Sequence, residues 1–115
     1  MVSVGFLELN SIAKGIEACD AMLKASEVKL VSARPSCPGK YNIIIQGDVA
    51  AVESSVAAGK YTGDNYVVDH VVIPRVHEQV VAAINCTTEI GKVNAVGVME
   101  FWDVTSAIFG ADAAV

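Results

Sequence analysis

"VGFLELNSIAKGIEACDAML", Val4 to Leu23, decides the fold, because its pattern changes period halfway and because the chain states it twice. Residues 2 to 9 alternate and are rich in strand formers, whereas Ile12, Ile16, Cys19 and Leu23 recur at helical spacing behind Ser11, a residue able to cap a helix. The spacing predicts a strand followed by a helix whose buried face carries those four residues. The last stretch, "VGVMEFWDVTSAIFGADAAV" from Val96 to Val115, matches it at a constant offset of 92 residues. Val4, Gly5, Glu8, Ile16, Asp20 and Ala21 meet Val96, Gly97, Glu100, Ile108, Asp112 and Ala113. Apolar residues also face apolar ones at Ile12 and Val104, and at Leu23 and Val115.

Between the two copies, "VKLVSARP" (28 to 35) predicts a second strand, "SCPGK" (36 to 40) a turn, and "YNIIIQG" (41 to 47) a third strand, so these two form a hairpin. Asp48 is placed to cap a helix with Val49, Val52 and Val56 on one face, and Gly59 is placed to end it. "YVVDHVVIP" (66 to 74) is a fourth strand stopped by Pro74, and His77 to Ile84 a short final helix. The order is βαββαβα, an α+β arrangement of a four-stranded antiparallel sheet with helices, a variant of the ferredoxin-like pattern. Residues 1–84 make one unit, the polar "NCTTEIGKVN" within 85–94 a linker, and 95–115 an extra C-terminal strand and helix that begin the unit again. That lone strand and helix must bury their apolar faces, and the expectation is packing against a neighbouring subunit.

The chain has 115 residues, enough for one domain and not two. Its hydrophobic share is 53% and its charged share 18%, an apolar surplus that points to subunit interfaces. A net charge of -5 without a basic stretch argues against nucleic-acid binding. The first residues lack the positive region of a signal peptide, and no apolar run approaches the ~18 residues of a membrane span, so the expected place is the cytoplasm. Cys19, Cys37 and Cys86 are odd in number and lack CxxC spacing, which suits reduced thiols. No HExxH, GxGxxG, P-loop or Ser/His/Asp signature is present, so the reading is of a protein that is not an enzyme. Glu8 with Glu100 and Asp20 with Asp112 mark one structural position in two copies rather than a catalytic pair.

With "VGFLELNSIAKGIEACDAMLKASEVKLV", "GDVAAVESSVAAG" and "VIPRVH" in this order, the chain resembles the bacterial microcompartment shell-protein (BMC) domain over residues 3 to 84. "CPGK" and the restart at "AVGVMEFWDV" make it most similar to the N-terminal unit of the tandem-domain, trimer-forming branch of propanediol-utilisation type, followed by a truncated second unit. The resemblance implies a structural protein that self-assembles into cyclic oligomers, hexamers or, for tandem chains, trimers. These tile with other shell proteins into facets around encapsulated enzymes, with a central pore for small metabolites or electrons.

It also implies roles for particular residues. Lys24, Arg75 and His77 correspond to positions at the oligomer edge, although by chemistry alone Lys24 is a solvated helix lysine and His77 a structural histidine. Ser36, Cys37, Pro38, Gly39 and Lys40 correspond to the loop that lines the pore, where backbone amides can offer donors to small polar or anionic solutes. Cys37 reads first as a small residue in a turn; copies converging on one axis are the alternative, a metal site or iron–sulfur cluster at the pore. Otherwise no cofactor is expected. A reading from another class is a small ligand-binding regulatory α+β domain, which leaves Lys24, Arg75 and the loop unexplained together.

Overall fold

A computed structural model describes residues 2–115. The strands are β1 (Ser3–Leu9), β2 (Lys29–Ser36), β3 (Lys40–Gly47) and β4 (Val67–Ile73), and the helices α1 (Ile12–Ala25), α2 (Val49–Gly63), α3 (Glu78–Ile84) and α4 (Val104–Ala114). One antiparallel sheet runs in the order β2-β3-β1-β4. β1 is therefore central, and all seven of its residues are buried. Both of its faces are covered, and it carries apolar residues on each, Val4 and Phe6 on one and Leu7 and Leu9 on the other.

The two sheet faces are covered differently. α1 and α2 lie on the inner face, where Leu7, Leu9, Ile43 and Ile45 meet Ala18, Cys19, Met22, Val52 and Val56. On the outer face Val4, Phe6, Ile44 and Ile73 meet Val76, Val80 of α3 and Ile108 of α4. The predicted α+β order of 1–84 is thus the observed one.

Three local expectations need correction. The side of α1 on the sheet carries Gly15, Ala18, Cys19 and Met22, whereas Ile12, Ile16 and Leu23 face outward, Ile16 at 56% exposure. The reason is distance: a Cβ on Gly15 would come within 2.5 Å of the Tyr41 side chain, so only small residues fit between helix and sheet there. α2 does not end at Gly59 but runs to Gly63; Gly59 is interior and lets Met22 and Leu7 approach to where a Cβ would stand 2.6 to 2.8 Å from them. Asp48 is its N-cap without a side-chain bond, and Val49 is exposed while Val52 and Val56 are buried.

The C-terminal copy departs most. Its helix forms as α4, capped by Asp103, whose side chain accepts from the Ser106 amide at 2.8 Å. The strand expected before it does not form; residues 95 to 103 join no sheet, and Val96, Val98 and Trp102 are exposed. α4 seats on the outer face of this chain's own sheet rather than on a neighbour.

Candidate functional site

The turn between β2 and β3 is closed by the pair Ser36 and Lys40, leaving Cys37, Pro38 and Gly39 exposed at its tip. Gly39 has φ +71°, the left-handed backbone that a three-residue hairpin loop places at one position and that glycine adopts without penalty. The base of the turn is tied down. Asn42 Nδ2 donates to Ser36 Oγ at 2.8 Å, and Lys40 Nζ donates to Glu8 Oε2 at 3.0 Å.

Glu8 is a structural tie that sequence reasoning passed over as a repeat marker. Its side chain is fully buried, and besides Lys40 it accepts at Oε1 from the Thr105 amide at 3.2 Å and the Thr105 hydroxyl at 3.1 Å. One carboxylate thus joins the turn, the central strand and the first turn of α4, where backbone amides favour an anion. The available signal was the period of two: Val4, Phe6 and Glu8 share the outer face, so an acid there must be partnered. Across the same row Glu8 stands opposite Asn42 on β3 and Asp69 on β4. Nearby, hydrogen bonds from Ser106 hold the Asp103 carboxyl below the usual carboxylate range, and Asp69 and Lys40 add to that against desolvation.

The residues expected at an oligomer edge lie elsewhere. Lys24, in the last turn of α1, pairs with Asp20 at 2.7 Å with both side chains well exposed, so the pair adds only a few tenths of a kcal/mol, about 0.3–0.5. Arg75 follows β4 in the left-handed region at φ +56°, exposed and without an ion pair among the described residues. His77 caps α3: its Nδ1 accepts from the Gln79 amide at 3.3 Å, and its own amide donates to Asp112 Oδ1 at 2.8 Å. Within the chain, no hydrogen bond or ion pair joins Lys24, Arg75 and the 36–40 turn to one another among the described residues.

The thiols are dispersed. Cys19 is buried, and burial with the neighbouring Asp20 charge pushes its thiol up, whereas Cys37 and Cys86 are exposed. Among the described residues no group of three or more Cys, His, Asp or Glu could hold a metal ion. A cluster held by cysteines needs several thiolates, and each chain supplies one exposed thiol at this turn, Cys37, so a cluster there would need copies of the turn brought together. The grooves are shallow places along the C-terminal segment and α3; one of about 480 Å³ is lined by Glu100, Phe101, Trp102 and Ser106, with no convergent acid–base set. Among the described residues no helix is long and apolar enough to cross a membrane.

Comparison with known proteins bears on this geometry. The family model described as "BMC domain" matches residues 3–76. A bacterial microcompartment shell protein of Citrobacter freundii, PduT, is 43% identical over 113 residues, covering 98% of this chain and 61% of its own length. The carboxysome shell protein CcmK2 of Synechococcus elongatus is 37% identical over 81 residues, covering 67% of this chain and 79% of its own. The crystal structure of a microcompartment protein from Desulfitobacterium hafniense superposes with a TM-score of 0.89 at 51% identity, covering 99% of this chain and 63% of that one. The chain thus spans somewhat over three-fifths of two of these relatives.

Proposed function

Because the chain belongs to the BMC-domain family of bacterial microcompartment shell proteins, we propose that it builds cyclic oligomers whose 36–40 turns line a central pore and whose Lys24 and Arg75 meet the next oligomer in a shell facet. As a member of that family it is a structural component and not an enzyme. Shell proteins of this family oligomerise and assemble with one another; ring size, the solute that passes and the enzymes enclosed belong to the proposal.

Arg75 carries this reading. An L-residue in the left-handed region costs about 1 kcal/mol, which glycine would avoid. Arg75 is exposed, and no ion pair among the described residues offsets that cost. Its planar donors suit backbone carbonyls or carboxylates of a neighbour. The turn fits a pore lining because its tip is exposed and small, while Lys40 and Ser36 anchor its base. His77 is better assigned to capping α3 than to the edge contact itself.

We also assign 1–84 to one shell unit, 85–94 to a linker and 95–115 to the beginning of a second unit. The repeated residues support this, as does the similarity to PduT continuing beyond residue 76, where the single-unit match ends.

Electron microscopy of the purified protein tests the reading. Flat sheets or hexagonal tiles are expected, and Arg75→Glu with Lys24→Glu should abolish tiling while leaving discrete oligomers. Tiles that persist in the double variant would remove these two residues from the edge. Discrete particles that never tile but bind a nucleotide or amino acid would instead favour the regulatory-domain reading.

A further inference from the structure

Two cations flank the tip of the 36–40 turn, and each is drawn back from it. Arg34 stands two residues before Ser36 on the same side of β2, and its Nε donates to Ser32 Oγ at 2.9 Å, which turns the guanidinium back along the strand. Lys40 follows Gly39 directly, yet its ammonium lies against Glu8 Oε2 at 3.0 Å rather than over the tip. The register explains the reach. Glu8 stands opposite Asn42, so Lys40 sits diagonally across from Glu8 on the outer face, a separation that a long side chain can close. The tip itself, Cys37, Pro38 and Gly39, carries no charged side chain.

Among the described residues, Glu8 is the one carboxylate in ion-pair contact with Lys40. Asp69 lies one strand further off, on β4, and accepts the His70 amide, while Asp103 accepts the Ser106 amide. A carboxylate and an ammonium in contact, the carboxylate fully buried, present a dipole to their surroundings instead of a net charge. What the tip then offers a solute is the polar backbone around Gly39, at φ +71°, and the exposed Cys37 thiol.

We propose that Glu8 sets the charge of the turn tip by holding Lys40 inward, so that a pore lined by these turns admits small uncharged polar solutes and gives anions no advantage. The inference rests on the pore reading for the solute class. It adds a positioning residue that no solute meets, since Glu8 is fully buried and acts through Lys40. With Glu8 neutral, the flexible four-carbon stem of Lys40 is free to swing toward the tip. Copies of the turn around one axis then bring one ammonium each to the same opening, where charges of one sign draw counter-ions and repel like ones. Selectivity on this account lies in a buried pair behind the lining rather than in the lining itself.

Thiol labelling of the full chain tests this, with methanethiosulfonates bearing a sulfonate, a trimethylammonium or no charge, and each site read by peptide mass. Cys86 is the internal standard, because its neighbours Asn85 and Thr87 line a groove with Val2 and Gln46, at the end of the sheet away from Lys40. Glu8→Gln should raise the anionic-to-cationic rate ratio at Cys37 about threefold, and Lys40→Met should lower it about threefold. The double variant should return it to the starting value, with Cys86 unmoved throughout and the shifts fading in high salt. A loosened fold moves both single variants the same way and does not recover in the double. Buried Cys19 reports folding and should stay unlabelled. Should it label in a variant, the unaltered chain carries the test: the sulfonate reagent, corrected against a small thiol, should be no faster than the neutral one at Cys37. A faster sulfonate reagent there, or single variants that leave the ratio unmoved or shift it in one direction, overturns the charge assignment. Rings whose turns lie off the axis in electron microscopy overturn the pore reading instead, and the solute class with it.

Discussion

Removing the Glu8 charge should loosen both the turn and α4 at once. Glu8 is fully buried and Lys40 about a quarter exposed, 26%, so their 3.0 Å pair is only partly screened by water. Glu8→Gln keeps an acceptor for Thr105 but turns an amide donor toward the Lys40 ammonium. Losing one charge-assisted hydrogen bond of this kind costs about 2 kcal/mol. Lys40→Met is the harsher change, since it leaves a buried carboxylate supported by Thr105 alone. That costs about 3 kcal/mol, the lower end for a broken buried pair because of the partial exposure. In the double variant neither charge remains to be stranded, and the loss should stay near 3 kcal/mol rather than the sum of about 5, a coupling of about 2 kcal/mol. Urea titration reads this directly: with a slope of about 2 kcal/mol per molar, Glu8→Gln moves the midpoint down by about 1 M. Amide exchange at Thr105 should quicken in the same variant. Single losses under about 0.5 kcal/mol, or additive behaviour of the pair, would refute the view of Glu8 as the tie between turn and helix.

Other consequences follow from the same packing. Gly15→Ala should lower Tm although alanine favours helix by about 1 kcal/mol, because its Cβ meets the Tyr41 ring at 2.5 Å and overpacking costs about 1–3 kcal/mol; Gly59→Ala should lower it less, since Met22 can yield. Native thiol titration should find Cys37 and Cys86 reactive and Cys19 slow until urea unfolds the chain; three equal rates would contradict the burial of Cys19 and its raised pKa. Burial, then the Lys60 charge, lower the His70 pKa below 6.5 against the opposing pull of Asp69. The unfolded chain then binds the proton more readily, so this contribution is intact above 6.5 and is lost as pH falls below it. His70→Gln should therefore flatten the urea midpoint between pH 7 and 5, a range in which Asp103, with its lowered pKa, does not titrate.

The unit's element order was legible because strands and helices in residues 3–84 change period at capping or turn residues, as at Ser11 and at Pro38-Gly39. What failed was the assignment of faces. Helical spacing selects Ile12, Ile16, Cys19 and Leu23 by size and hydropathy, but helix-to-sheet distance selects Gly15, Ala18, Cys19 and Met22. No local pattern contains that distance, which is set by the Tyr41 ring on β3. The Glu8 partnership was hidden for a related reason. Its Thr105 contact joins residues 97 apart, and the repeat had offered a sufficient account of the acid.

Residues 96 to 102 show why the second copy of a strand need not become one. β1 is a strand because β3 and β4 pair with both its edges and the helices close both its faces. The second copy carries nearly the same alternation but pairs with neither edge strand, β2 or β4, and Val98 and Trp102 stay exposed. Pairing alone gains a strand little over water, which satisfies its exposed backbone groups nearly as well, so a strand needs a covered apolar face too. The helix behaves differently because its hydrogen bonds are internal and one face suffices to hold it. α4 therefore forms on the outer sheet face while its strand waits, and the apolar residues left exposed concentrate in 96–102 and along the outward face of α1. Ordinary surface residues scatter singly; contiguous apolar stretches of this kind mark interaction surfaces. If so, Trp102→Ser should leave the urea midpoint of the isolated chain within about 0.5 kcal/mol while Ile108→Ala lowers it, because only Ile108 has exchanged water for a sheet. Equal losses would mean that 96–102 contributes to the fold of a single chain after all.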